Sequence, residues 1–218
     1  MNEPRTIRVT GKGMIRLKPD TTQVTMTLNG VCSAYAKTLE RSAADTEQIR
    51  GVLTQIGFSR DDLKTLSFRV EPEYEGYREE DVYRQRLVGY RFIHEMKIEF
   101  PSDHKRLGQV LSAISRSKLA PEFQIDYTVK DREAAKNALI GMAVADAAAK
   151  AKALTDAAGV RLKEIRYIEY SLCTIDLTVR PVAFAGMKRA VTEDCCAAEI
   201  VPEEIEAEDT VTIDWEIE

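Results

Sequence analysis

The 218-residue chain is short of the residues that most chemistry needs. It has two histidines, His94 and His104, and four cysteines, Cys32, Cys173, Cys195 and Cys196. No two cysteines form a Cys-x-x-Cys pair, so a zinc site would have to gather distant ligands. Four cysteines are also few for a disulfide scaffold of this length. The adjacent Cys195 and Cys196 follow Glu193 and Asp194. Acidic neighbours raise a thiol's pKa, which argues against a redox role for the pair. A nucleophile needs a base within reach and a third group to orient it. With neither histidine in a recognisable motif, no such set can be named, and no carboxylate pair is singled out by spacing. The sequence therefore predicts no catalytic residues, no cofactor and no metal.

Positive charge is scarce as well: 31 Lys and Arg against 36 Asp and Glu leave a net charge of −5. A general nucleic-acid binder needs a basic face, and so does a protein that adheres to anionic lipid. No apolar run reaches the ~18 residues that cross a bilayer, so no membrane insertion is expected. The opening MNEPRTIRVTGKG lacks the apolar core of an export signal, and a cytoplasmic location is the expectation. Gly11-Lys12-Gly13 lacks the Gly-Lys-Ser/Thr ending of a phosphate loop.

What the chain does have is one long helical stretch, Asp131 to Gly159, rich in Ala, Leu, Met and Lys. Asp131 is placed to cap its start, and Gly159 to take the left-handed position after its end. Ile140, Val144, Ala147, Ala151, Leu154 and Ala158 recur at helical spacing and predict the packed stripe. The stripe suits a helix lying on a sheet, or a helix contact between subunits.

Around it the pattern alternates. Short strands are predicted at Thr6–Thr10 and Met14–Lys18, with Gly11-Lys12-Gly13 as the turn between them. Thr22–Gly30 is a half-buried strand, with Val24, Met26 and Leu28 on one face. A helix over Ala34–Ile56, capped by Ser33, turns Leu39, Ala43, Ile49, Leu53 and Ile56 inward. Leu63–Val70 and Leu87–Phe100 are strands. His94 lies on the apolar face of the second, as a hydrogen-bonded core residue. A helix at Asp103–Ser117, capped by Ser102, precedes a strand at Glu122–Lys130 with Phe123, Ile125, Tyr127 and Val129 inward. Lys163–Leu172 and Thr210–Ile217 are strands, and the acidic Glu203–Asp209 is a solvated linker.

Strand, helix and strand recur in both halves of the chain, and a further strand follows each time. The expectation is an α+β fold with mostly antiparallel sheet in a single domain, residues 1–218. Two βαββ-like halves, about 1–100 and 118–218, are joined by a helix at 102–117, and two long helices pack the sheet.

Several segments together resemble the SIMPL-domain family, long filed as a domain of unknown function. They are Ile7-Arg8-Val9-Thr10-Gly11-Lys12-Gly13 with Lys18-Pro19-Asp20-Thr21, Val88-Gly89-Tyr90-Arg91, the Ala-rich Ala143–Gly159, and Ile200-Val201-Pro202-Glu203 with Val211-Thr212-Ile213. The resemblance covers nearly the whole chain. It implies an α+β fold, ring-like oligomers in some members, and links to oxidative-stress defence or surface antigens. It implies no catalytic residues. Pro202-Glu203 stands where the family often has Pro-Gly.

Pro72–Arg86 is a charged, tyrosine-rich excursion, long for a hairpin loop. Tyr74, Tyr77, Tyr83 and Arg84 are of the types enriched at interfaces, and they form the candidate contact surface. The functional expectation is a non-enzymatic structural or interaction protein acting as a homo-oligomer. The alternative is a small-molecule-binding or stress-response module with a pocket near His94 and Tyr90.

Overall fold

A computed structural model describes residues 5–79, 82–119, 121–171, 175–180 and 202–218. Along the chain run β1 (Thr6–Leu17), β2 (Thr21–Cys32), α1 (Tyr35–Gln55), β3 (Lys64–Glu79) and β4 (Val82–Pro101). Then come α2 (His104–Ser115), β5 (Glu122–Thr128), α3 (Arg132–Ala158), β6 (Leu162–Glu169), the two-residue β7 (Thr178–Val179) and β8 (Ile205–Ile217). The fold is α+β, with antiparallel sheets packed by helices. The chain divides into two compact units. Among the described residues, one takes 20–79, 82–119, 121–127, 180 and 202, and the other takes 5–19, 128–171, 175–179 and 203–218.

In the first unit the strands lie in the order β3-β4-β2-β5, with β2 and β3 both antiparallel to β4. Val24, Met26 and Leu28 of β2 and Phe92, Met96 and Ile98 of β4 bury one face of the sheet under Ile49 and Leu53 of α1 and Val110 and Ile114 of α2. Each such side chain is worth about 1.5–3 kcal/mol when fully buried. The face of α1 differs from the expected one. Its buried residues are Thr38, Ser42, Thr46, Ile49 and Leu53, while Leu39 is 38% exposed. Thr38 and Thr46 can be buried because their hydroxyls donate to Ala34 O and Ser42 O, one turn back, at 3.0 and 2.7 Å. Ser33 caps nothing: the N-cap position is Ala34, with no side-chain bond. Asp103, not Ser102, caps α2, accepting from Lys105 N at 2.9 Å. On β5, Tyr127 is buried but Phe123 is 52% exposed.

The second unit is a three-stranded antiparallel sheet, β1-β8-β6, with α3 packed along β1 and β8. The predicted turn at Gly11-Lys12-Gly13 is instead the middle of one continuous strand. Gly11 and Gly13 alternate onto the face under α3. A Cβ on Gly11 would meet Ala143 O and Ala147 N, and one on Gly13 would meet Leu139 O. The glycines let helix backbone touch strand backbone.

That closeness selects which residues of α3 face inward. The buried row is Ala135, Leu139, Ala143, Ala147, Ala151 and Thr155, while Leu154 is 53% exposed. Thr155 is satisfied by donating to Ala151 O at 3.0 Å. Asp131 does cap the helix, accepting from Ala134 N at 2.8 Å, and Gly159 is left-handed at φ 70°.

Of the acidic stretch expected as a linker, residues 205–209 are the first part of β8. Ile205, Ala207 and Asp209 are buried, and Asp209 accepts from the Tyr170 hydroxyl at 2.8 Å. The alternate residues Glu206 and Glu208 stand on the outer face, opposite Arg16 at 2.9 Å and Lys12 at 2.5 Å. The strand expected to open the second half, β5, lies in the first unit's sheet, and β1 fills the corresponding place beside β8.

Candidate functional site

The tyrosine-rich segment is no loop. β3 and β4 continue past the helices as a two-stranded arm, paired from Tyr74↔Leu87 to Glu79↔Val82. Alternation places Tyr74, Gly76, Leu87, Gln85, Arg78 and Tyr83 on one face. Tyr74, Leu87 and Tyr83 are 56, 51 and 68% exposed. Tyr83 lies across Gly76, where a Cβ would collide with its ring and hydroxyl. Tyr77, Arg84, Arg86, Glu75 and Val82 occupy the opposite face. There Arg86 sits over the Tyr77 ring at 5.8 Å and donates to Glu75 Oε2 at 2.7 Å. The Glu75 carboxylate holds the Arg86 guanidinium above its ordinary pKa. The four candidate residues thus divide between two faces: Tyr74 and Tyr83 on one, Tyr77 and Arg84 on the other. Leu87, which sequence reasoning assigned to a core strand, joins the first pair.

At the base of the arm the register slips between Glu73 and Tyr74, and Val88 is the extra residue on β4. Arg91 grips Glu73 there with two hydrogen bonds of 2.5 and 2.8 Å, which holds the Glu73 carboxyl below its ordinary pKa. Tyr35 meets Tyr90 edge to face at 5.6 Å nearby. The arm therefore springs from a fixed base.

His94 is 8% exposed and fully engaged. Thr46 already donates its hydroxyl proton to Ser42 O, so it accepts from His94 Nδ1–H at 3.0 Å. The ring's Nε2 then accepts from Thr65 at 2.9 Å. Phe68 closes the side of the ring edge to face at 5.2 Å. Burial first, and Arg50 second, lower the His94 pKa below the ordinary 6.5. Both nitrogens are spent on hydroxyls and an aromatic ring packs beside them, so the predicted pocket by His94 is filled by the protein itself.

An open cleft of about 380 Å³ lies elsewhere in the same unit, lined by Phe58, Phe100, Arg106, Asp62, Asp103 and their neighbours. Its polar groups are occupied. Arg106 donates to Ile56 O at 2.5 Å and stacks over Phe58 at 4.3 Å. Asp62 accepts from Ser59 N at 2.8 Å, and Asp103 caps α2.

Among the described residues no group of three or more His, Cys, Asp or Glu is placed to hold a metal ion. No helix among them is long and apolar enough to cross a membrane. Cys32 is a free thiol, while Cys173, Cys195 and Cys196 lie outside the described residues.

A family model described as "SIMPL: Protein of unknown function (DUF541)" matches residues 7–215. The chain belongs to the SIMPL family. No curated protein matches it. Within this SIMPL chain the segments that carried the resemblance now have structural roles. Gly11 and Gly13 make room for α3, the Ala-rich helix supplies the small residues that meet them, and Gly89-Tyr90 marks the base of the arm.

Proposed function

We propose that this SIMPL chain works without catalysis, as a self-associating protein whose arm docks against a second copy. The observation that supports this reading is the row of Tyr74, Leu87 and Tyr83, half or more exposed on one face of a ribbon. Tyrosine supplies large contact area at small entropic cost and is enriched where interfaces bind tightly. An isolated two-stranded ribbon gains little from its own pairing, so a partner surface is its natural support. The other face of the arm is self-satisfied, with Tyr77, Arg86 and Glu75 engaged with one another.

The binding-module alternative is weaker. Its pocket beside His94 is occupied by Thr46, Thr65 and Phe68.

The test is light scattering on a sizing column, at micromolar concentration and physiological salt, with the parent chain and Tyr74→Ser/Tyr83→Ser. The proposal expects the parent to run as a discrete assembly and the double variant to run smaller with an unchanged circular dichroism spectrum. An unchanged mass for the double variant would remove the arm from the interface.

A further inference from the structure

The apolar face of the arm does not stop at its base. Pro72 pairs with Tyr90, and from there β3 runs back through Val70 and Phe68, opposite Phe92 and His94, on the face that carries α1. Phe68 is nonetheless 45% exposed. The cause is the width of a helix. A helix about 10 Å wide covers two strands about 4.8 Å apart, not three. α1 packs on β2 and β4, which leaves β3 as a recess beside it. Thr46 and Arg50 mark the side of α1 that borders the recess, since both act on His94. Leu39 and Ala43 share that side at helical spacing, and both are exposed. Arg41 and Gln48 reach the other way, to Val31 O and Ser117 O. Tyr35 is 52% exposed and meets Tyr90 where the recess joins the arm.

Area decides what the joined surface is for. At about 200 Å² for a large side chain, the exposed parts of Tyr74, Tyr83 and Leu87 come to about 350 Å². Arm against arm alone would bury about 700 Å², the size of an incidental contact. Phe68, Leu39 and Tyr35 add about 270 Å² on the same scale. The continuous patch of about 600 Å² is as large as a typical monomer exposes. Used by two copies it would bury about 1,200 Å², where specific interfaces begin.

We infer that the arm of one copy lies in the recess of a second copy, which returns the contact about a two-fold axis beside Pro72 and Tyr90. The two halves of the patch match in length. From Pro72 the arm runs six residues out to Arg78, and β3 runs six residues back to Leu66, about 20 Å each way. They match in depth as well. Packed sheets lie about 10 Å apart, so the visiting ribbon takes over β3 the layer that α1 takes over β2 and β4. Apposition about Pro72 sets Tyr74 over Val70 of the other copy. It sets Gly76, with Tyr83 across it, over Phe68, an aromatic pair. A two-fold contact uses one patch twice and closes at two copies. The inference rests on the self-association proposed above and names the surface that receives the arm.

The experiment joins light scattering to cross-linking. Leu39→Lys/Ala43→Lys puts two cations on the wall of the recess at exposed positions, with the fold checked by circular dichroism. The inference expects its mass to fall to half that of the parent or less. A second protein carries a benzophenone side chain in place of the Tyr83 phenol. On irradiation it should give a dimer band whose cross-linked peptides come from α1 or from β3 before Pro72. If the lysine variant unfolds, those peptides decide the point alone. Cross-links to the arm of the second copy only, or a mass that survives the lysines, would overturn the recess and leave the arm reading standing. An oligomeric parent with no cross-link from position 83 would overturn both. A monomeric parent would overturn self-association itself.

Discussion

The backbone N–H of Lys12 is held by the carboxylate of Asp146, 134 residues further along the chain, at 2.7 Å. The bond spans strand and helix where they lie closest, between Gly11 and Gly13. Lys150 and the Lys12 amide hold the Asp146 carboxyl below its ordinary pKa of 3.8. A carboxyl lowered in this way supports the folded state above its unfolded pKa and loses that support as pH falls through the folded value. Asp146→Ala should therefore speed hydrogen exchange at the Lys12 amide at neutral pH, while the core amides of β8 keep their protection. Equal exchange in the two proteins would show that the capped edge is not held by this group.

Gly11→Ala tests the closeness itself. The added methyl would enter the space of Ala143 O and Ala147 N, which are helix backbone and cannot rotate away. Overpacking of this kind costs about 1–3 kcal/mol, and backbone contact puts it at the upper end. Urea unfolding should show a loss of about 3 kcal/mol. Gly141→Ala, with nothing within 4 Å of the new methyl, should be neutral or slightly stabilising.

His94 gives a pH signature. Its folded pKa is lowered by burial and by Arg50, so the unfolded chain takes up the proton first. Stability is full above about pH 6.5, falls as the pH drops below that value, and levels off once folded His94 also titrates. The imidazole resonances should report titration below 6.5 in the folded protein. Thr46→Val removes the acceptor for Nδ1–H and should cost about 1–3 kcal/mol, because it strands a buried donor.

In the arm, Tyr83→Ser should change assembly more than Arg84→Ala. Tyr83 is 68% exposed on the apolar face, whereas Arg84 stands on the face with the ion pairs. Thermal melts of both variants should stay close to the parent, since surface changes shift stability by about 0.5 kcal/mol or less.

Much of this was legible in the sequence. Alternation located β2, β4 and the end of β8. Asp131 and Gly159 marked the ends of α3, and His94 was placed in the core. One failure concerns the helix faces. Hydrophobicity points the largest apolar residues inward, so Leu39 and Leu154 were expected inside. The structure turns both outward and buries Thr38, Ser42 and Ala143, which the pattern had not placed inside; on α3 the backbone approach at Gly11 and Gly13 favours small residues. The clue was Gly-x-Gly at strand spacing, which reads equally well as a turn. Glu206 and Glu208 looked like linker because the basic partners that make them strand residues, Arg16 and Lys12, are about 190 positions away. The arm looked like a loop because its charges hide the period of two until β3 and β4 are set side by side.

The native mass is the measurement that bears most directly on the central proposal. Light scattering across a sizing peak, over a tenfold range of concentration, should give a constant mass that is two or more whole multiples of 24.5 kDa. A mass of 24.5 kDa at every concentration would contradict the proposal that this chain works by assembly.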